Sequence, residues 1–245
     1  MAPFTFYKIV EKKMESVYEM KKIAVMHSDF KEKFGIPRQS GLVEELESYI
    51  VFEPEYRNPD ALRGLEGFSH IWILWLFSKN RRDHFSPTVR PPRLGGNKRM
   101  GVFATRSSFR PNSIAMSSVE ICGIQYHTDR GPVIRVKGAD LLDGTPILDI
   151  KPYIPAVDSY PDAREGFAAV NKEYELTVEV PERWQKVVES EKYRPLLGVL
   201  AQDPRPAYKE DEEREYGMMF ASYEVKFIVK GHTLTVTQIV NCLLY

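Results

Sequence analysis

The chain has 245 residues, 43% hydrophobic and 12% aromatic, which supplies a substantial core and argues against wholesale disorder. Its 34 Lys and Arg balance 34 Asp and Glu, which excludes a protein that coats nucleic acid through bulk charge. With Cys122 and Cys242 as its only cysteines, one chain cannot build a disulfide framework or a thiolate zinc cluster.

Residues 1 to about 20 read as a leader of clustered Lys and Glu with scattered aromatics, without the apolar stretch and small-residue cleavage site of a secretory signal. Short strands are predicted at Ile23 to Met26 and Ser48 to Phe52, both rich in β-branched or aromatic residues. Asn58-Pro59-Asp60 supplies an N-cap followed by proline at the first helical position, predicting a short helix through Leu65. His70 to Phe77 reads HIWILWLF, a strand apolar on both faces. It is far shorter than the roughly 20 residues needed to span a bilayer, so a soluble, cytoplasmic protein is expected. Further strands are predicted at Met100 to Ala104, Ser117 to Ile124 and Val133 to Lys137. Cys122, in an apolar setting, reads as a buried, inert thiol.

Composition shifts near 162–169, and a β segment is predicted over Lys172 to Val180. Pro181 opens a helical stretch ending by Pro195. After the DPRPAY run (Asp203 to Tyr208) comes a hairpin, in which Tyr223, Val225, Phe227 and Val229 alternate, Lys230-Gly231 turns, and Leu234, Val236, Gln238 and Val240 alternate. The fold class is mainly β: a small β-barrel over 21–170, followed by a smaller α+β domain over 171–245.

The segment Arg90 to Ser118 carries the strongest functional signal. It holds Arg90, Arg93, Lys98, Arg99, Arg106 and Arg110 with no acid, together with Gly95, Gly96 and Gly101 and three prolines. Cationic, stiff and open to close backbone approach, it suits an anion. Over 79–110 nine Lys or Arg face one acid, Asp83, while Glu210 to Glu213 and Glu215 lie elsewhere, so recognition is local. In RSSFRPN, Arg106 and Arg110 stand four residues apart, and Pro111 disfavours helix at Arg110, which predicts an exposed, fixed loop. The turn Asp140 to Pro146 reads either as the end of a strand or as a group of carboxylates for a cationic ligand; residue chemistry leaves both open.

There is no GxGxxG after a strand and no GxxxxGK[ST], so neither a dinucleotide-binding Rossmann site nor a P-loop is supported. The five histidines never approach metal-ligand spacing, and no metal is expected.

PRQSGL (37–42), GLEGFSHIWILWLF (64–77), RPPRLGGNKRMGVFATRSSFRPN (90–112), DLLDGTPILDIKPYIP (140–155) and DPRPAY (203–208) occur in order. Together they resemble the TsaA-like, TrmO-type family of tRNA methyltransferases. The resemblance implies a non-Rossmann β-barrel that binds S-adenosylmethionine, homodimers with the donor close to the subunit interface, and methyl transfer to N6 of threonylcarbamoyl-modified adenosine 37. The C-terminal domain would help engage the tRNA anticodon loop. Carried over by motif, Pro37, Arg38, Gln39, Phe77, Ser78, Arg106, Met116 and the turn Asp140, Leu141, Leu142 and Asp143 would bind the donor. Arg93, Arg110, Asn112, Asp203, Arg205 and Tyr208 would bind the substrate, with Arg106, Arg110 and Asp143 as catalytic candidates. Ser78 departs from the His of many relatives, and Ser108, Ser113, Ala115 and Met116 replace Pro, Pro, Gly and Leu. The competing readings are a noncatalytic barrel that senses a nucleotide or RNA, and a methyltransferase with another acceptor.

Overall fold

The computed structural model describes residues 18–79, 85–91, 98–167, 174–205 and 211–244. Most of the expected leader, Arg93 and Tyr208 lie outside them.

Six antiparallel strands close a barrel: β1 (Ala24–His27), β2 (Glu47–Phe52), β3 (His70–Leu76), β6 (Ile114–Gln125), β7 (Val133–Lys137) and β8 (Thr145–Pro152), in the order β1-β2-β7-β6-β3-β8. Closure removes the exposed edges that an open sheet of such apolar strands would carry. Period-two alternation sends Met26, Ile50, Ile71, Ile73, Val119, Ile134 and Ile147 into the interior, each almost fully buried. Burial of such a side chain contributes about 1.5–3 kcal/mol. The expected strand at 70–77 is apolar on both faces but fully buried on only one: Ile71, Ile73 and Trp75 point inward, and the residues between them are only half-buried. Cys122 sits at a bulge where β6 slips against β7 between Ile121 and Gly123. It is half-buried, and burial raises its thiol pKa.

Between β3 and β6 a two-stranded ribbon pairs β4 (Thr88–Val89) with β5 (Met100–Gly101). The strand expected to run to Ala104 stops at Gly101, and a 3-10 turn follows over Val102–Ala104 that buries Val102. At 58–62 the expected N-cap is present, Asn58 accepting from the Asp60 N–H, but the element is a single 3-10 turn, Pro59–Leu62.

A second sheet orders β10 (Tyr216–Phe220), β11 (Tyr223–Lys230), β12 (Thr233–Asn241) and β9 (Thr177–Glu179), with β9 parallel to β12. A bulge against Lys226/Phe227 pairs Phe227 with Val236 and Lys226 with Gln238. The extra residue, Thr237, shifts the phase, so Ile239 is buried in place of the expected Gln238 and Val240. The short helices α1 (Pro155–Asp158) and α2 (Glu182–Gln185) precede α3, Ser190–Ala201. Pro195, expected to end the helix, lies inside α3. Proline there removes a hydrogen bond, but burial of Leu196, Val199 and Leu200 carries the helix past it.

This second core also takes Phe30, Val43 and Leu46 from the connection between β1 and β2. Gly198 of α3 is pressed so closely on Val43 that an added Cβ would lie 2.6 Å from its Cγ1. The β1–β2 connection thus belongs to the barrel by sequence and to the second core by packing.

Candidate functional site

One mouth of the barrel opens into a cavity of about 760 Å³, within the size range of small-molecule sites. Residues of β3, β6 and β8 and of the connections next to them build it. The 37–40 segment contributes Pro37, Arg38, Gln39 and Ser40; the end of β3 contributes Leu74 to Phe77, continuing into Ser78 and Lys79. Thr105, Arg106, Ser108, Arg110 and Asn112 come from the loop before β6, and Ile114 to Met116 from β6 itself. Asp140, Leu142 and Thr145 close the other side.

The 105–113 loop holds its path by hydroxyl hydrogen bonds. The Ser107 N–H donates to Thr105 Oγ1 at 3.2 Å, the Phe109 N–H to Ser107 Oγ at 3.2 Å, and Ser113 Oγ to the Ser108 carbonyl at 3.3 Å. Arg110 Nη1 donates to the Thr105 carbonyl at 3.2 Å and braces the loop from inside. Arg106 Nη1 reaches Gln39 Oε1 at 3.5 Å, linking this loop to the 37–40 segment. Gly138, with φ +72°, lies against Gly41: the Gly41 N–H donates to the Gly138 carbonyl at 2.9 Å, and a Cβ on Gly138 would sit 3.2 Å from Gly41 backbone. That approach holds the Asp140 loop beside the Pro37 segment.

Asp140 is the only carboxylate lining the cavity among the described residues. It accepts from Ser117 Oγ at 2.6 Å, and Ser117 Oγ accepts from Trp75 Nε1 at 3.0 Å. Burial raises the Asp140 carboxyl pKa, against the Ser117 hydrogen bond and the Arg106 charge, which lower it. Residue reasoning did not single out Ser117 or Trp75. The available signal was a serine on the inward phase of an apolar strand, two residues before Val119.

Nine of the expected donor residues meet at this cavity: Pro37, Arg38, Gln39, Phe77, Ser78, Arg106, Met116, Asp140 and Leu142. Leu141 and Asp143 do not. Leu141 is fully buried in the barrel core, because alternation along the turn points it inward. Asp143 is occupied elsewhere: its carboxylate takes Lys31 Nζ at 2.8 Å, the Ser28 N–H at 3.1 Å and His27 Nδ1 at 3.3 Å. Burial alone would raise the Asp143 carboxyl pKa; the Lys31 hydrogen bond, the Ser28 N–H and the charges of Lys31 and His27 outweigh it and hold it low. Asp143 is a strut between two loops, away from the cavity lining where a catalytic group was expected.

Of the expected substrate residues, Arg110 and Asn112 line the cavity. Asp203 and Arg205 lie apart from it and bind each other in a two-pronged pair, Nε to Oδ1 and Nη2 to Oδ2, both 2.9 Å. The Asp203 carbonyl accepts from Arg38 Nη2 at 3.4 Å, so the pair reaches the cavity through Arg38.

Beside the cavity runs a second depression of about 1640 Å³, with Arg38, Gln39, Thr105, Arg106 and Ser108 shared between the two. Its other walls include Arg90, Arg99, Phe103 and Arg164, and Tyr174 and Gln202 from the second unit. Among the described residues no group of three or more His, Cys, Asp or Glu could hold a metal ion, and no helix is long and apolar enough to cross a membrane.

The sequence model of the tRNA-methyltransferase O N-terminal domain matches residues 25–159, and that of the TrmO C-terminal domain matches 173–242. A tRNA (adenine(37)-N6)-methyltransferase of Escherichia coli is 44% identical over 222 residues, 87% of this chain and 94% of the relative. One of the same description from Eikenella corrodens is 46% identical over 173 residues, 68% of this chain and 94% of the relative. A crystal structure of TrmO from Pseudomonas aeruginosa superposes with a TM-score of 0.77 at 31% identity, covering 94% of this chain and all of that one. With a closed barrel of the same fold and both family domains matched in order, the chain belongs to the tRNA-methyltransferase O family.

Proposed function

We propose that this protein transfers a methyl group from S-adenosylmethionine to N6 of adenosine 37 of tRNA, on an adenosine that already carries the threonylcarbamoyl group. The observation that carries this reading is continuity. A donor-sized cavity with one carboxylate opens, through Arg38, Gln39, Thr105, Arg106 and Ser108, into a larger groove lined by five arginines against two glutamates, Glu165 and Glu175. The names of the similar enzymes from E. coli and E. corrodens support the same chemistry.

The cavity suits the donor. Leu74, Trp75, Phe77 and Met116 offer apolar surface to an adenine or thioether, and Asp140 offers a carboxylate to hydroxyls or an ammonium group. Pro37, Arg38, Gln39, Ser78, Arg106 and Leu142 complete the set proposed to hold it. When bound, the donor supplies an electrophilic methyl group on a sulfonium.

The acceptor nitrogen is weakened by its ureido substituent and must lose its proton. The other ionisable side chains of the cavity are the cations Lys33, Arg38, Lys79, Arg106 and Arg110, so we assign proton acceptance to Asp140. Its raised pKa brings it closer to the operating pH, which favours a general base. Ser117, fixed by Trp75, holds the carboxylate in place. Arg110 and Arg106 suit the acceptor's carboxylate or a neighbouring phosphate, and Asn112 lines the same wall. The Asp203 carbonyl supports Arg38 from the second unit, and Asp203 and Arg205 are proposed to act with it on the substrate side.

We place the change from barrel to C-terminal α+β domain near residue 170. We also propose a cytoplasmic homodimer; the exposed apolar group Ile154, Val157 and Tyr160 after β8 supports a covered face there.

The test is methyl incorporation from labelled S-adenosylmethionine into threonine tRNA with and without threonylcarbamoyl on adenosine 37. Transfer to the modified tRNA alone is expected. Donor binding by calorimetry without transfer to either tRNA would overturn the reading.

A further inference from the structure

The ribbon of β4 and β5 pairs Thr88 with Gly101 and Val89 with Met100. Continuing that register backwards brings residue 85 beside 103 and 104. The 3-10 turn after β5 buries Val102 and thereby turns its neighbour Phe103 outward. The Val102 N–H, bonded to the Pro87 carbonyl at 2.9 Å, locks the turn to the ribbon. Phe85 and Phe103 lie nearly parallel, centroids 6.4 Å apart and planes 27° from one another, yet they are 56% and 71% exposed.

Two adjacent phenylalanines held face to face by the backbone and left in water gain little from folding. Phe103 stands on the wall of the larger groove, Phe85 backs it, and Arg90, Arg99 and Arg106 line the same groove. Aromatic faces interleaved with arginines are the usual means of gripping unpaired nucleotides: the rings stack on bases and the cations follow the phosphates. The groove's 1640 Å³ exceeds what the donor needs, and it joins the donor cavity at Arg106.

We propose that Phe103, supported by Phe85, is a stacking platform for one unpaired base flanking the target adenosine, with Arg99 and Arg90 on the adjoining phosphates. This inference rests on the tRNA reading above. It adds how the neighbouring nucleotide is held, and therefore how the target base is presented to the cavity.

The test compares wild type with Phe103→Ala and Phe103→Trp. The RNAs are modified tRNA and versions lacking the base at position 36 or at position 38. Stacking on one aromatic is worth roughly 1–3 kcal/mol, so Phe103→Ala should raise KM for intact RNA about fivefold or more. Phe103→Trp should restore it, and the donor Kd by calorimetry should stay within twofold for both variants. On one of the two base-deleted RNAs the Ala variant and wild type should become equal. An unchanged KM would overturn the platform, and so would an equal penalty on all three RNAs. A fall in particle mass of Phe103→Ala by sedimentation would instead make the rings a self-association surface. If wild type transfers no methyl group, the tRNA reading fails while the platform is still judged by binding of unstructured RNA. Failure of wild type to bind any RNA would end both.

Discussion

Arg38 Nη2 donates to the backbone carbonyl of Asp203 across 165 residues of chain. Arg38 lines the cavity proposed for the donor, while Asp203 lies at the end of α3 in a left-handed conformation, φ +48°. That strained turn is held by the two-pronged pair with Arg205, whose partners are each only 11% exposed. An ion pair in the second unit therefore fixes the direction of a side chain in the first.

Arg205→Ala should lower stability by about 2 kcal/mol, because it leaves a largely buried carboxylate without its fork. Arg205→Lys, unable to make both bonds, should recover only part of the loss. Urea denaturation measures the first effect. Calorimetry should show a several-fold weaker donor Kd in both variants, through Arg38.

Asp140→Asn separates stability from activity. The folded pKa of Asp140 is raised above its unfolded value, so ionisation costs stability, and that cost grows as pH rises through the folded pKa. The Asn variant should match or exceed wild type in Tm at pH 8 and lose its advantage at acid pH, where both side chains are neutral. Its kcat should fall at least a hundredfold at pH 8, by progressively less as pH falls, and lose the acid limb of the wild-type profile. An unchanged kcat with a raised KM for the donor would make Asp140 a binding group only.

Asp143 has the opposite sign. Its folded pKa is depressed, so its stabilising contribution is present above the unfolded pKa and disappears as pH falls through the folded value. Asp143→Asn should cost about 1 kcal/mol at pH 7, modest because Lys31 is solvent-screened, and progressively less as pH falls through the folded value. Thermal melts across that range supply the comparison.

Gly138→Ala tests the contact between the two loops. It adds a Cβ 3.2 Å from Gly41 backbone at a φ that disfavours side chains, and should cost about 1–3 kcal/mol. Since neither glycine touches the cavity, a weaker donor Kd in this variant would report displacement of the Asp140 loop.

The barrel is legible because its strands are short, β-branched and punctuated by Gly and Pro, and that pattern predicts five of its six. The missed one, β8, lies inside DGTPILDIKPY, where two prolines and two charged residues obscure the alternation of Thr145, Ile147 and Asp149. The Gln238/Val240 phase was lost for a different reason: a bulge shifts alternation by one residue without a glycine or proline to mark it. At the site, the motifs led to most of the cavity wall. They did not separate Asp140 from Asp143, three residues apart, because which carboxylate faces the cavity is decided by Lys31 and Ser28, more than 110 residues away. Ser117 and Trp75 were hidden by their place in the core.

The packing of Phe30, Val43 and Leu46 into the second core bears on how the protein comes into being. Those residues bracket Pro37 to Gly41, and their partners on β12, among them Leu234, Val236 and Ile239, are made some two hundred residues later. A ribosome-bound intermediate bearing every barrel strand would hold its 37–41 segment only through barrel contacts such as Gly41 with Gly138, without the second core. A chain cut near residue 170 would lose the clamp on its 37–41 segment together with its second sheet, so the two halves cannot be exchanged between relatives as independent parts. Competence for donor and competence for RNA should be acquired together, late in synthesis.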